Sequence, residues 1–176
     1  MSNDLKKGCI VARRVFFSFR YDLDNWRVQT VKNIGRVEGQ SLLTSNQWED
    51  VARNGDAAIQ RWIDGQMVGK SCDIVLIGSQ TAGRRWVEYE FRKAWSEGKG
   101  VVGIHIHQLL DRNRQSTTKG KNPFSGFTLS NGNVSFDQVV RTYDPVGYNS
   151  ASAYASITSN IESWVEEAIE IRSRWK

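Results

Sequence analysis

Trp86 and Glu90 stand four residues apart in the run Arg85-Trp-Val-Glu-Tyr-Glu90. On a helix that spacing stacks the indole and the carboxylate on one face, within reach of each other. Such a carboxylate can hold a positive charge that develops on a bound molecule, and Arg84 and Arg85 beside it can meet anionic groups. The same spacing also describes an ordinary amphipathic helix with an aromatic facing a sheet and a Glu at its rim, so position has to decide. Glu88, two residues before Glu90 and about 160 to 200° around the helix, reads as a solvated surface charge.

Other candidate groups are weaker. His105 and His107 alternate as a metal pair would, but no nearby Cys or carboxylate completes a ligand set, so they read as structural and no metal is expected. The turn from Gly78 to Gly83 lacks the Lys-Ser/Thr of a P-loop and the spaced glycines of a dinucleotide fingerprint. Cys9 and Cys72 are the only cysteines, too few for a disulfide framework or a zinc spacing, and are expected as reduced thiols.

The elements that must position Trp86 and Glu90 follow from periodicity. The run from Arg14 to Tyr21 is rich in β-branched and aromatic residues and predicts a strand, with Asp22 and Asp24 placed to cap a helix over 25–34. Trp26, Val28, Val31 and Ile34 would form that helix's apolar stripe before Gly35 stops it. Residues 36–45 show no period and predict a mobile loop of the kind that lines sites. A helix over 56–67, a buried strand over 72–78, a helix over 86–97 and a strand over 101–107 follow. This alternation predicts an α/β fold, a parallel sheet with helices on both faces and ligands beyond the carboxyl ends of its strands. The loops after Tyr21 and after Gly78 then share one edge, and Trp86 and Glu90 sit at it. Residues 109–135 are polar and predict a surface excursion, and an amphipathic pattern over 152–175 predicts a closing helix.

Length and composition fit this plan. A chain of 176 residues suits one domain, with 39% apolar and 24% charged residues at ordinary globular values. The formal charge of +5 favours anionic partners, yet the 24 Lys and Arg are scattered and no nucleic-acid-binding pattern is present, so a phosphate-bearing small molecule suits the charge better than nucleic acid. No apolar run has the roughly 20 residues that span a bilayer and no secretion signal opens the chain, so a cytoplasmic protein without membrane contact is expected.

Three ordered blocks, Val15-Phe-Phe-Ser-Phe-Arg20, Val75-Leu-Ile-Gly-Ser79 and Arg85-Trp-Val-Glu-Tyr-Glu90, resemble a Toll/interleukin-receptor (TIR) domain. With Gln47-Trp-Glu-Asp50 and Gly103-Ile-His-Ile-His107, the text from about Arg13 to Leu110 is most similar to the TIR-like proteins of the Thoeris anti-phage defence system. The resemblance implies a flavodoxin-like, TIR-like α/β fold: a single domain over 1–176 with a C-terminal helix, an N-terminal extension at 1–12 and an irregular excursion at 111–150. It implies cleavage of NAD, with Glu90 catalytic, Trp86 packed beside it, and Ser18, Phe19 and Arg20 near the dinucleotide. NAD would be the substrate and no other cofactor is expected. The product would be a cyclic or modified ADP-ribose that activates a separate effector protein, with self-association or a phage-derived trigger controlling the enzyme.

Rival readings are a TIR scaffold without turnover and a nucleoside deoxyribosyltransferase-like enzyme of similar fold. Retention of Trp86 and Glu90 speaks against the scaffold. A receiver-type signalling domain would need a phospho-accepting Asp at a strand end, where this chain has Gly78 and Ser79.

Overall fold

Phe16 and Phe17, neighbours in the first strand, are both buried, because successive strand side chains point to opposite faces and each face here carries a layer of helices. The computed structural model describes residues 11–129 and 132–175, so most of the extension read at 1–12, with Cys9, lies outside the described residues. One face, with Val15, Phe17, Ile74, Leu76, Val102 and Ile104, is covered by Val28 and Val31 of α1 (Tyr21–Lys32) and by Ile157, Ile161 and Val165 of the last helix, Ser150–Ser173. The other face, with Phe16, Val75 and Ile77, packs against Ile59, Ile63 and Met67 of the helix Asp56–Met67 and against Val87 and Phe91 of the helix Arg85–Ser96.

The sheet consists of β1 (Val15–Ser18), β2 (Cys72–Ile77), β3 (Gly100–His105) and a final short strand, Thr142–Tyr143, in that spatial order and all parallel. On the free edge of β1, Glu38 makes a parallel bridge to Arg14, with Val15 N–H donating to Glu38 O at 2.8 Å and Glu38 N–H to Arg13 O at 2.9 Å. That bridge stands where the second strand of a flavodoxin-like sheet would run, so the order is the flavodoxin order with one strand reduced to a single residue. Gln40 continues the edge with its side chain. It accepts from Phe17 N–H at 2.8 Å and donates to Phe17 O at 2.9 Å, the two bonds a neighbouring strand would make.

Several boundaries differ from the sequence reading. The first strand ends at Ser18 and α1 begins at Tyr21, so Asp22 and Asp24 lie inside its first turn rather than capping it. Trp26 is 60% exposed, and Asp24 and Arg27 take places on the buried face. The cause is a buried ion pair at 3.0 Å, whose Arg27 also donates to the backbone oxygens of Leu109 and Gln115 and so ties α1 to the loop after β3. A helix the sequence reading did not place, α2 (Ser45–Arg53), opens with a capping box in which Thr44 and Gln47 satisfy each other's backbone N–H groups.

Downstream of α3 (Asp56–Met67), β2, α4 (Arg85–Ser96) and β3, the stretch read as a surface excursion reaches the core. Phe124 is fully buried, and the segment folds through a small hairpin of β4 (Thr128–Leu129) and β5 (Val134–Ser135) into a one-turn α5 (Phe136–Val139). It then supplies β6 (Thr142–Tyr143) before α6 (Ser150–Ser173) closes the fold. Phe91 explains this path. Its ring meets Phe124, Phe127 and Phe136 at centroid distances of 5.1, 5.3 and 5.7 Å, a cluster whose members are too widely spaced to show as a period.

Candidate active site

The β2–α4 turn sets the position of Glu90. Thr81 is buried, its hydroxyl accepts from Gly78 N–H at 2.8 Å, and Gly83 takes a positive φ of 77°, which turns the chain into α4 at the carboxyl edge of the sheet. Gly78 is required there, because a Cβ at this position would overlap the Asp24 carboxylate. One helical turn into α4, Glu90 points toward the sheet. It is 8% exposed and forms part of the floor of a cleft of about 400 Å³, within the range of small-molecule sites.

Phe19, Arg20, Trp86 and Glu90 all line this cleft. Ser18 does not; it lies behind the floor, fully buried, and its hydroxyl donates to Asp73 Oδ1 at 2.8 Å. The loop read at 36–45 lines the same cleft through Gln40, Ser41, Leu42 and Leu43. Sequence reasoning missed Tyr21, Trp48 and Trp62, which build one wall. Trp48 stacks on Tyr21 at 5.7 Å and 23° and meets Trp62 edge-on at 6.3 Å. The signal for them was Thr44-x-x-Gln47, which marks a helix start and would have placed Trp48 on a helix face toward α1.

The rim is cationic. Arg20, Arg84 and Arg85 line the cleft, with Arg20 held by both oxygens of Asp22 at 2.8 Å and by Gln80. Arg84 donates to Gln80 at 3.3 Å, and Arg85 lies over the Trp86 ring at 4.7 Å while reaching Asp56 at 2.5 Å. Planar guanidiniums on an open rim are suited to phosphate oxygens. Below the rim the environment is dry. Burial first, then the nearby Asp73 carboxylate, pushes the Glu90 carboxyl well above its usual range, with the Ser18 hydroxyl pulling the other way. Burial likewise pushes Asp73 up to about 7, against the Ser18 hydrogen bond. Glu88, half-buried, lines a separate shallow groove.

His105 and His107 lie beyond this cleft, near Asp144 and Lys119, with ring centroids 5.8 Å apart. His105 is buried and its pKa is lowered to about 4, first by burial and then by the Lys119 charge, which suits a neutral core side chain.

With this geometry in hand, comparison with known proteins is decisive: residues 16–111, more than half the chain, match the family described as Thoeris protein ThsB, TIR-like domain. The chain belongs to that family. As a ThsB TIR-like protein it carries within the matched region β1 from Phe16 onward, β2, β3, the aromatic wall and Glu90, while β6 and α6 lie beyond it. It is also 40% identical over 119 residues to ThsB1 of Bacillus cereus (strain MSX-D12), whose name proposes a cyclic ADP-D-ribose synthase. That match takes in 65% of this chain and 62% of the relative, so the chain spans less than two thirds of the relative's length.

Proposed function

We propose that this ThsB TIR-like protein cleaves the nicotinamide–ribose bond of NAD in the cleft above Glu90 and closes the product into a cyclic ADP-ribose. One observation carries the reading: a buried carboxyl on the floor of an aromatic-walled cleft whose open rim bears Arg20, Arg84 and Arg85. A flat ring can stack on the aromatic wall, a pyrophosphate can meet the rim, and the ribose between them then faces Glu90.

The chemistry asks little of an acid. The pyridinium of NAD leaves as neutral nicotinamide, taking the electron pair of the C1′–N bond, so no proton donor is needed. What remains is an oxocarbenium ion, and a carboxylate in a low-dielectric site is worth far more to that cation than one in water. If water then attacks C1′ the product is ADP-ribose and a proton; if a hydroxyl or adenine nitrogen of the same molecule attacks, the product is cyclic. Rings stacked over the sugar exclude water and hold the nucleophile close, which favours the second course. The name of the Bacillus relative points the same way.

In this reading NAD is substrate and no further cofactor takes part. The protein works in the cytoplasm, and the diffusible product carries the signal to a separate effector. No helix among the described residues is long and apolar enough to cross a membrane. The test is incubation with NAD, alone and with extract from phage-infected cells, followed by mass spectrometry of the nucleotide products. Nicotinamide together with a cyclised ADP-ribose is expected. Intact NAD in both arms overturns the reading, and base exchange in a parallel incubation with deoxynucleosides and a free base would then assign the cleft to a deoxyribosyltransferase-like reaction.

A further inference from the structure

Behind the cleft floor two carboxyl groups face a single hydroxyl. Asp73, in β2, is fully buried and accepts from Ser18 Oγ at 2.8 Å. The same hydroxyl lies against the Glu90 carboxyl, and among the described residues Glu90 Oε2 and Asp73 Oδ2 are buried with no hydrogen-bond partner. Among the described residues no cation acts on either carboxyl. The core on this face of the sheet is apolar, with Ile59, Ile63 and Met67 from α3, Phe16 from β1, and Phe124 and Phe136 from the later segment, while Asp64 meets Tyr89 and Lys93. The rim arginines are engaged elsewhere: Arg20 with Asp22, Arg84 with Gln80 and Arg85 with Asp56. Asp73 is the one charge that acts on Glu90, and none acts on Asp73.

A hydroxyl has one proton to give. While Ser18 donates to Asp73 it can only accept from Glu90, which must then be the acid. If Ser18 turns to donate to Glu90, Asp73 must be the acid and donate to Ser18 Oγ. Both arrangements give each carboxyl a partner in the Ser18 hydroxyl with one acidic proton. Two protons put two donors on Ser18 Oγ and leave its own O–H without an acceptor, and none leaves two buried anions on one hydroxyl.

We propose that Asp73 is a positioning residue that shares one proton with Glu90 through Ser18 and takes it over when positive charge develops opposite Glu90. The step balances within the protein. The Glu90 O–H bond breaks as its proton joins Ser18 Oγ, the original Ser18 proton passes to Asp73 Oδ1, and Glu90 is left as a carboxylate toward the cleft. No proton has to cross the cleft. Burial raises both carboxyls, and the Asp73 charge raises Glu90 further, so that the two do not ionise together. The transfer solves a conflict in the site, since the burial that makes Glu90 effective also keeps it protonated until the cation arrives. The inference rests on the reading of Glu90 as the group that faces the ribose.

Carbon-13 NMR of the side-chain carboxyls across pH tests the shared proton without turnover. In the wild type the Asp73 and Glu90 carbons move together through the same two pH steps, and in Glu90→Gln the Asp73 carbon moves in one. An Asp73 carbon that titrates in one step with the same midpoint in both proteins overturns the proposal, and this comparison needs no substitution at Asp73 itself. The second arm is the pH profile of nicotinamide release. Asp73→Asn and Ser18→Ala shift the kcat midpoint by about one pH unit or more with KM within about two-fold, whereas unshifted profiles in folded variants count against the relay. Coupled titration without nicotinamide release keeps the shared proton and removes the NAD reading; release with independent titration does the reverse.

Discussion

Tyr21 at the start of α1 and Trp48 in α2 stack at 5.7 Å with their planes 23° apart, and both rings border the cleft that holds Glu90. The contact joins two helices that share few others, so its natural use is to hold a flat wall for a base. A base stacked on an aromatic is worth about 1–3 kcal/mol, or roughly 5- to 150-fold in affinity. Trp48→Ala should therefore raise KM for NAD by about that factor, with a smaller effect on kcat, and Trp48→Phe should recover most of it. A Trp48→Ala enzyme with unchanged KM would take the wall out of the binding site.

Glu90→Gln keeps the shape of the side chain and removes its charge. Loss of one preorganised electrostatic group costs about 10²- to 10³-fold in kcat, and among the described residues the other carboxylate lining the cleft, Asp22, is tied to Arg20, so on the proposed reaction at least that loss is expected in nicotinamide release. Circular dichroism should show an unchanged fold. Glu88→Gln, on the other side of α4, should retain wild-type rates. Equal activity of Glu90→Gln and wild type would sink the mechanism.

The parts of this site that were legible in the sequence are those carried by local spacing. Trp86 and Glu90 show as a helical pair, and β2 shows as a continuous apolar run, because a strand buried on both faces has no polar side. Asp73 sits inside that run and gave no signal, since nothing in Cys72-Asp-Ile-Val says whether its carboxyl meets solvent or Ser18, 55 positions earlier in the chain. The extent of α1 was hidden for a similar reason. Asp24 looks like a cap and Arg27 like a polar position of the helix over 25–34, and only the oxygens of Leu109 and Gln115, from the loop after β3, make it worthwhile to bury them. Phe124 looked like loop because its partner is Phe91 in α4.

The Asp24–Arg27 pair yields a stability prediction. Both are almost completely buried, and Arg27 is the donor to Asp24. Removing it leaves a carboxylate that burial pushes up and whose main counter-charge is gone. Breaking a buried pair from one side costs about 3–5 kcal/mol, whereas replacing both partners with apolar residues is often far milder. Urea denaturation should place Arg27→Ala about 3–5 kcal/mol below wild type and the double variant Asp24→Leu/Arg27→Met well above the single one. The assignment fails if Arg27→Ala unfolds within about 1 kcal/mol of wild type.

Stability should also depend on pH through Asp73. Burial raises its folded pKa from 3.8 to about 7, so between these values the folded protein keeps a proton that the unfolded chain has lost. A group raised in this way stabilises the fold fully below its unfolded pKa, and that contribution drains away as pH climbs from about 4 to about 7. At about 1.4 kcal/mol per pH unit the whole loss is on the order of 4 kcal/mol. His105 acts in the opposite sense. Its pKa falls to about 4, chiefly by burial, so it adds stability as pH rises from about 4 to 6.5, and the wild-type slope alone would mix the two. The difference between wild type and Asp73→Asn removes His105 from the comparison, and the relief of Glu90 in the variant acts in the same sense as the loss of Asp73. Relative to Asp73→Asn, wild type should therefore lose ground steadily from pH 4 to pH 7 in urea titrations. A difference that stays flat over this range would mean that Asp73 is ionised in the folded protein at pH 4.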